Sequence, residues 1–430
     1  MNCYHSYVAV RATANDHEVL LARLLQAREE SDAIFRMVKP EAIYDRPIDA
    51  RHRIIFYVGH LEAFDWNLLS GPCNLSTFNP EFNHLFAFGI DPVGGKLPSD
   101  QPRDWPRPEA VHEYRDRVRQ SLDAALKSTE FPDRGDGSFE FLMNVAIEHR
   151  WMHAETLAYM FHRLPFERKV SRAVRRELPA GPFTAKCVHV PAGRAQLGLH
   201  RESGAFGWDN EFEAHAVDVP EFTIDRYKVT NGQFLKFIES GGYDNRALWR
   251  DSDWEWKTTQ EISHPAFWMR SGDGWAYRSM FDEVPLPLDW PVYVSHAEAN
   301  AYARWQGMAL PTEAQWHRAA CGTPASSFDP PGDRWDPAPV YAVNAGTSAF
   351  GVEGLFANGW EWTSTEFAPF RGFQPFACYP GYSANFFDGQ HYVLKGGSVR
   401  TASCMLRPSF RNWFQPWYQH VYSGFRCVSA

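Results

Sequence analysis

In the segment EHRWMHAETLAYM two histidines, His149 and His153, stand four residues apart, so on a helix they project from one face. That face is the apolar one, between Val145 and Leu157. Two imidazoles buried side by side need partners, and a divalent metal satisfies both nitrogens at once while holding them neutral. A third histidine, His60, lies on the apolar face of another helical segment, beside Tyr57, Leu61 and Phe64. An isolated HxxxH pair fits a core or surface pair as well as it fits a metal. A third histidine in register tips the balance towards a three-histidine metal site with open positions for substrate or oxygen. Glu148 and Glu155 are offset from the paired imidazoles by one and two residues, which turns them aside as surface groups or partners of the ligands. His52, His162, His264 and His391 have no comparable arrangement and default to solvated or capped positions.

These histidines need a scaffold, and the apolar periodicity supplies one. Helical spacing over 16–38, 50–69, 108–128 and 139–163 predicts four amphipathic helices and hence a bundle. Between the second and third runs a connection of more than thirty residues, rich in Pro, Gly and Asp, whose aromatic cluster Phe82, Phe86 and Phe88 predicts a packed segment roofing a pocket. Residues 165–182, a basic run ended by Pro and Gly, read as a solvated linker. Beyond it short segments broken by Gly, Pro, Asp and Asn, with helices predicted at 230–239 and 295–306, make a loop-rich α+β domain. The boundary is placed so that residues 1–178 form the bundle and 179–430 the second domain.

Composition narrows the partners. Lys and Arg number 43 against 52 Asp and Glu, a net charge of -9 over 430 residues, so no global positive field attracts nucleic acid or an anionic membrane. No apolar stretch reaches the length of a membrane span. The opening MNCYHSYVAVRATAND lacks the basic and apolar regions of a signal peptide, which predicts a cytoplasmic protein. Seven scattered cysteines without a CxxC indicate neither a disulfide framework nor a thiolate zinc site. The 32 Phe, 17 Trp and 17 Tyr exceed ordinary packing needs and suit pockets that stack on planar or cationic ligands.

GHLEAFDWN (59–67) and HRWMHAE (149–155) resemble the single-His and HxxxHxE elements of the DinB-like bundle in ergothioneine-type sulfoxide synthases. The second half resembles the formylglycine-generating-enzyme fold, a C-type lectin variant, through YKVTNGQF (227–234), LPTEAQWHRAA (310–320), NGWEWTS (358–364), VLKGGS (393–398), RPSFRNWF (407–414) and SGFRC (423–427). Trp360, Trp362 and Gly396 in these motifs read as core and turn residues rather than ligands. Formylglycine generators use a cysteine pair after GGS, whereas this chain offers only Cys404 there, which excludes that activity. The resemblance implies a non-heme iron(II) enzyme that uses O2 to join a chalcogen nucleophile to the imidazole C2 of hercynine, Nα-trimethylhistidine. Iron would be held by His60, His149 and His153. Asn412 and Trp413 fall where the family contacts trimethylhistidine, and an aromatic face is the natural partner of a quaternary ammonium.

Three departures bear on the second substrate. Relatives that use γ-glutamylcysteine have Asp after the Asn-Trp pair and Arg four positions further; this chain has Phe414 and Tyr418, which disfavours a zwitterionic substrate. The family's proton-donating tyrosine and a second tyrosine are replaced by Phe367 and Phe370, leaving Tyr379, Tyr382, Tyr392 and Tyr422 as unranked acids. Cysteine-using relatives supply tyrosines from the long connection, which here presents Phe86 and Phe88. The pattern resembles the selenoneine synthase branch, whose nucleophile is a selenosugar, with Asn385, Asp388 or Gln390 as candidate sugar partners. A cysteine-using sulfoxide synthase is the alternative. A zinc thiol transferase or a lectin-like binding module would be readings from other classes.

Overall fold

The computed structural model describes residues 14–87, 98–132, 135–170, 184–323, 334–342 and 346–429. They form two compact units, one within Val10–Ala173 and the other within Val174–Ala430. Families of packed helices and of short strands divide along that line.

The first unit is a helical bundle of α1 (Ala14–Phe35), α2 (Ile54–Leu69), α3 (Pro80–Leu85), α4 (Pro108–Leu126) and α5 (Phe139–Arg163). α5 starts where the Ser138 hydroxyl accepts from the Phe141 amide at 3.3 Å, and it buries almost every residue from Leu142 to His162. A helix buried on nearly every side sits at the centre of its bundle, and α1 and α2 both pack on it. α4, which packs on α2, buries only Val111, Tyr114, Val118, Leu122 and Leu126, the narrow stripe of an outer helix. α3 was not foreseen. It interrupts the long connection where Asn79 caps the Phe82 amide at 3.0 Å and Pro80 occupies the first turn. The expected linker also begins differently: Lys169 is buried, its Nζ donates to the Phe161 carbonyl at 3.0 Å, and its backbone bridges Val38. The remainder of that run, 171–183, lies outside the described residues.

The second unit is built on a four-stranded sheet. Its order is β10 (Asn412–Phe414), β9 (Tyr392–Gly397), β8 (Gly359–Glu366), β11 (Ser423–Gly424). β8 runs antiparallel to β9 and parallel to β11, and β10 pairs Trp413 with Val393. Around it lie β1 (Cys187–Val190), β4 (Phe222–Asp225) and β12 (Val428–Ser429) in one sheet and the hairpin of β2 (Gly193–Leu197) and β3 (His215–Val219). A third sheet holds β5 (Trp268–Ser271), β6 (Gly274–Arg278) and β7 (Glu283–Pro285). Its helices are α6 (Asn231–Glu239), α7 (Asp251–Thr259), α8 (His296–Trp305) and α9 (Glu313–Ala319). The expected helices correspond to α6 and α8, while α7 and α9 are additional. Trp360 and Trp362 are core residues, and Gly396, at φ 88°, carries its backbone against the Leu355 carbonyl where a Cβ would collide.

Buried charge ties β8 to the segments around it. Glu361 on β8 takes both Arg426, at 3.0 Å, and Lys228, at 2.8 Å, in a region closed to water. Burial draws the Lys228 ammonium down to about 8. Glu361→Gln would leave two buried cations without a counter-charge. The expected cost is roughly 3–5 kcal/mol, seen as a lowered denaturant midpoint for the tryptophan-rich unit; an unchanged midpoint would mean that Glu361 does not hold these strands.

Candidate metal centre

α2 and α5 bring His60, His149 and His153 to one point inside the bundle. The Nε2 of His153 lies 3.2 Å from that of His60 and 3.1 Å from that of His149, and all three ligand atoms fall within 4.8 Å of one another. The side chains are 4%, 2% and 6% exposed, so bulk water does not reach them freely. Burial brings His60 down to about 4 and holds His149 and His153 well below the ordinary imidazole value, each further lowered by neighbouring cationic or imidazole groups. The three rings are therefore neutral at physiological pH. The His60 Nδ1–H donates to the Phe86 carbonyl at 2.7 Å, which fixes the tautomer and turns the Nε2 lone pair inward. A proton on one Nε2 can satisfy one neighbour, whereas a divalent cation satisfies all three. The donor set thus fits a borderline divalent ion such as iron(II) or zinc(II).

Packing sets the rings. His149 stacks on Phe64 at 3.4 Å and His60 on Phe56 at 4.9 Å. Phe86, expected among the substrate contacts, is fully buried, with its ring against Trp105 and Tyr114; it serves the site through its carbonyl. The close approach depends on Gly59, where a Cβ would meet the Phe86 ring at 2.5 Å. Phe88 lies outside the described residues. Glu148 and Glu155 are buried rather than surface groups, because α5 has no solvent-facing side over this stretch. The same central position buries His162 completely, against the solvated placement expected. His391 is nearly buried and its Nδ1 meets Asp388 at 2.9 Å, so the Asp388 carboxylate is committed to it.

In the second unit the residues singled out around β10 form an aromatic group. Trp413 stacks on Phe367 at 4.3 Å with planes 7° apart, and meets Tyr382 edge-on at 5.3 Å and Phe386 at 5.5 Å. Asn412 turns its Oδ1 back to accept from the Trp413 amide at 2.9 Å. Phe414 and Tyr418 stack on each other at 5.0 Å. Phe370 lies apart from Trp413: the Arg411 guanidinium, held by Glu313 at 3.0 Å, packs over both Phe370 and Phe367, at 4.1 and 5.0 Å. Of the four candidate acids, Tyr382 contacts Trp413, Tyr392 accepts from Arg250 at 2.9 Å, and Tyr422 is buried. The Glu313–Arg411 pair was missed in the sequence; the capping pattern that starts α9 at Thr312 is the one local signal, and it speaks of the helix alone.

A helical bundle carrying three convergent imidazoles, followed by a domain of lectin-like sheets, defines a two-domain metal-dependent class. Residues 175–430 match the sulfatase-modifying factor enzyme 1-like domain and residues 23–157 the DinB superfamily. The hercynine oxygenase of Mycobacterium tuberculosis is 36% identical over 339 residues, covering 74% of this chain and 77% of that protein. Ergothioneine biosynthesis protein 1 of Schizosaccharomyces pombe is 28% identical, covering 91% of this chain and 54% of that protein. Among solved structures, PvdO from Pseudomonas aeruginosa has a TM-score of 0.39 at 17% identity, covering 58% of this chain and 99% of that one. The chain belongs to the ergothioneine-type sulfoxide synthase family, and is an oxygen-dependent enzyme of that family. No helix among the described residues is long and apolar enough to cross a membrane.

Gly59→Ala is expected to displace the Phe86 ring and with it the carbonyl that orients His60. The cost is about 1–3 kcal/mol of bundle stability and about a tenfold loss or more of metal affinity. Gly71→Ala, where a Cβ meets nothing within 4 Å, serves as the control in a thermal melt and a metal titration. Equal affinity in the two variants would rule out the Phe86 carbonyl as an orienting group.

Proposed function

We propose that this chain is a selenoneine synthase that joins the imidazole C2 of hercynine to a selenosugar with iron(II) and O2. The observation that carries the metal half is the convergence of three neutral Nε2 atoms, which His60, His149 and His153 would offer to iron(II). When bound, the iron supplies a redox centre for a four-electron oxidation in which the C2–H and Se–H bonds break and the C–Se bond forms. One oxygen atom of O2 appears on selenium and the other as water.

The remaining work falls to the chain. The nearly buried histidines keep the site free of competing water. Trp413, pre-set by its stack on Phe367, offers a face to the trimethylammonium group of hercynine, which has no hydrogen to donate. Asn412 stands beside it. Phe414 and Tyr418 form a neutral aromatic surface where γ-glutamylcysteine-using relatives place Asp and Arg. Such a surface suits the C–H faces of a sugar and leaves the charges of an amino-acid nucleophile unpaired. Phe367 removes the family's phenolic acid, and a softer, more easily oxidised selenium nucleophile tolerates that loss better than sulfur. The second reading, a sulfoxide synthase joining hercynine to cysteine, is favoured by the relatives, a hercynine oxygenase and an ergothioneine biosynthesis protein.

An aerobic assay with Fe(II), hercynine and, in parallel, a selenosugar, cysteine and γ-glutamylcysteine separates these readings by product mass. Turnover is expected with the selenosugar and lost in His149→Ala; turnover with cysteine and none with selenosugar would overturn the selenium assignment. Trp413→Ala is expected to weaken hercynine binding by about 1–2 kcal/mol in calorimetry, and an unchanged Kd would remove Trp413 from the site.

A further inference from the structure

Beside the imidazoles the bundle buries a second polar group that the chemistry above does not use. Arg150, directly after the ligand position His149, is wholly enclosed, as are Glu62 and Asp65 of α2. Its guanidinium donates to Glu62 at 3.1 Å, to Asp65 at 2.6 Å and to the Leu61 carbonyl at 3.1 Å. Three directional bonds thus run from one residue of α5 to three residues of α2, Leu61, Glu62 and Asp65, beginning one residue after His60. Arg119 of α4 closes on Glu62 at 2.7 Å, and Arg28 of α1 faces Asp65 at 3.7 Å, so all four long helices meet at these two carboxylates.

A buried ion cluster is a poor way to gain stability, since desolvation consumes most of the attraction, but it is an effective way to fix register. Apolar side chains let one helix slide or turn on another at small cost. A planar fork that must meet two carboxylates and a carbonyl does not. The consequence falls on the ligands. His60 rides on α2, while His149 and His153 ride on α5, and the 3.2 Å separation of the His60 and His153 Nε2 atoms depends on the register of those two helices.

We propose that Arg150 is a positioning residue of the metal centre: it locks α2 against α5 and so holds His60 at bonding distance from an ion shared with His149 and His153. The proposal rests on the reading that the triad holds a divalent metal, and its test keeps the two apart. The full-length chain is stripped with a chelator and titrated with zinc(II) against a chromophoric competitor, and separately with cobalt(II) while the visible spectrum is recorded. Wild type, Arg150→Met, Arg150→Lys and His149→Ala are compared, with folding followed by circular dichroism. Arg150→Met is expected to weaken zinc binding on the order of 10- to 100-fold and to alter the cobalt spectrum. Arg150→Lys keeps the charge but not the fork, and is expected to fall between it and wild type. Folded Arg150 variants with wild-type affinity and spectrum would overturn the proposal while leaving the metal reading intact; if Arg150→Met does not fold, Arg150→Lys decides alone. A wild-type chain that takes up neither metal, like His149→Ala, would overturn both.

Discussion

Three convergent imidazoles in a helical core, with the His153 Nε2 at 3.1 and 3.2 Å from those of His149 and His60, impose the constraint from which the rest of the bundle follows. Charged imidazoles would repel and pay heavily for desolvation, so the rings are neutral. Neutral rings need fixed tautomers, and the Phe86 carbonyl supplies one. That carbonyl can reach His60 only because position 59 is glycine. The rings need fixed planes as well, which Phe56 and Phe64 provide. The helix carrying two of the histidines must then be central, and α5 is buried on nearly every side from Leu142 to His162.

The second unit answers a different constraint. Its strands are too short to hold one another by ladder bonds alone, and two buried carboxylates gather what the ladders do not. Glu361 ties β8 to Arg426 and Lys228; Glu313 ties α9 to Arg411 and Lys395, at 3.0 and 3.6 Å. Both carboxylates face more than one cation. For Glu313, burial would raise the carboxyl, yet Arg411 and Lys395 bring it down to about 2. A carboxyl depressed in the fold lends stability above its unfolded value near 4.5, and that stability fades as pH falls through the folded value. The Glu313 pair with Arg411 is therefore intact throughout the neutral range.

What was legible in the sequence tracks the range of the interaction. The helical period and the four-residue step of His149 and His153 are local, and α1, α2, α4 and α5 lie within a few residues of their expected bounds. His60 could be added because it shares an apolar stripe with Tyr57 and Leu61. α3 and α9 were announced by Asn79-Pro80 and by Thr312 with Gln315, signals of one turn that a search for longer periods passes over. The rest is non-local. Glu313 and Arg411 are 98 residues apart, Glu361 and Arg426 65, and Arg150 and Glu62 88; no spacing rule connects such positions. The orienting role of Phe86 belongs to a backbone carbonyl, which has no residue type to betray it.

The ring at position 367 joins these two levels. One face carries Trp413 and the Arg411 guanidinium also packs against it. Both contacts use the π-system, so a phenyl ring makes them as well as a phenol does. A phenyl ring at 367 therefore presents Trp413 as a phenol would and lacks only the phenol's proton donor. Phe414 and Tyr418 likewise support one another through their mutual stack, with no charge on either side chain. On the reading proposed above, the choice between a selenosugar and a thiol amino acid would rest on what these positions lack, an acid at 367 and charges at 414 and 418, and not on the packing that holds them.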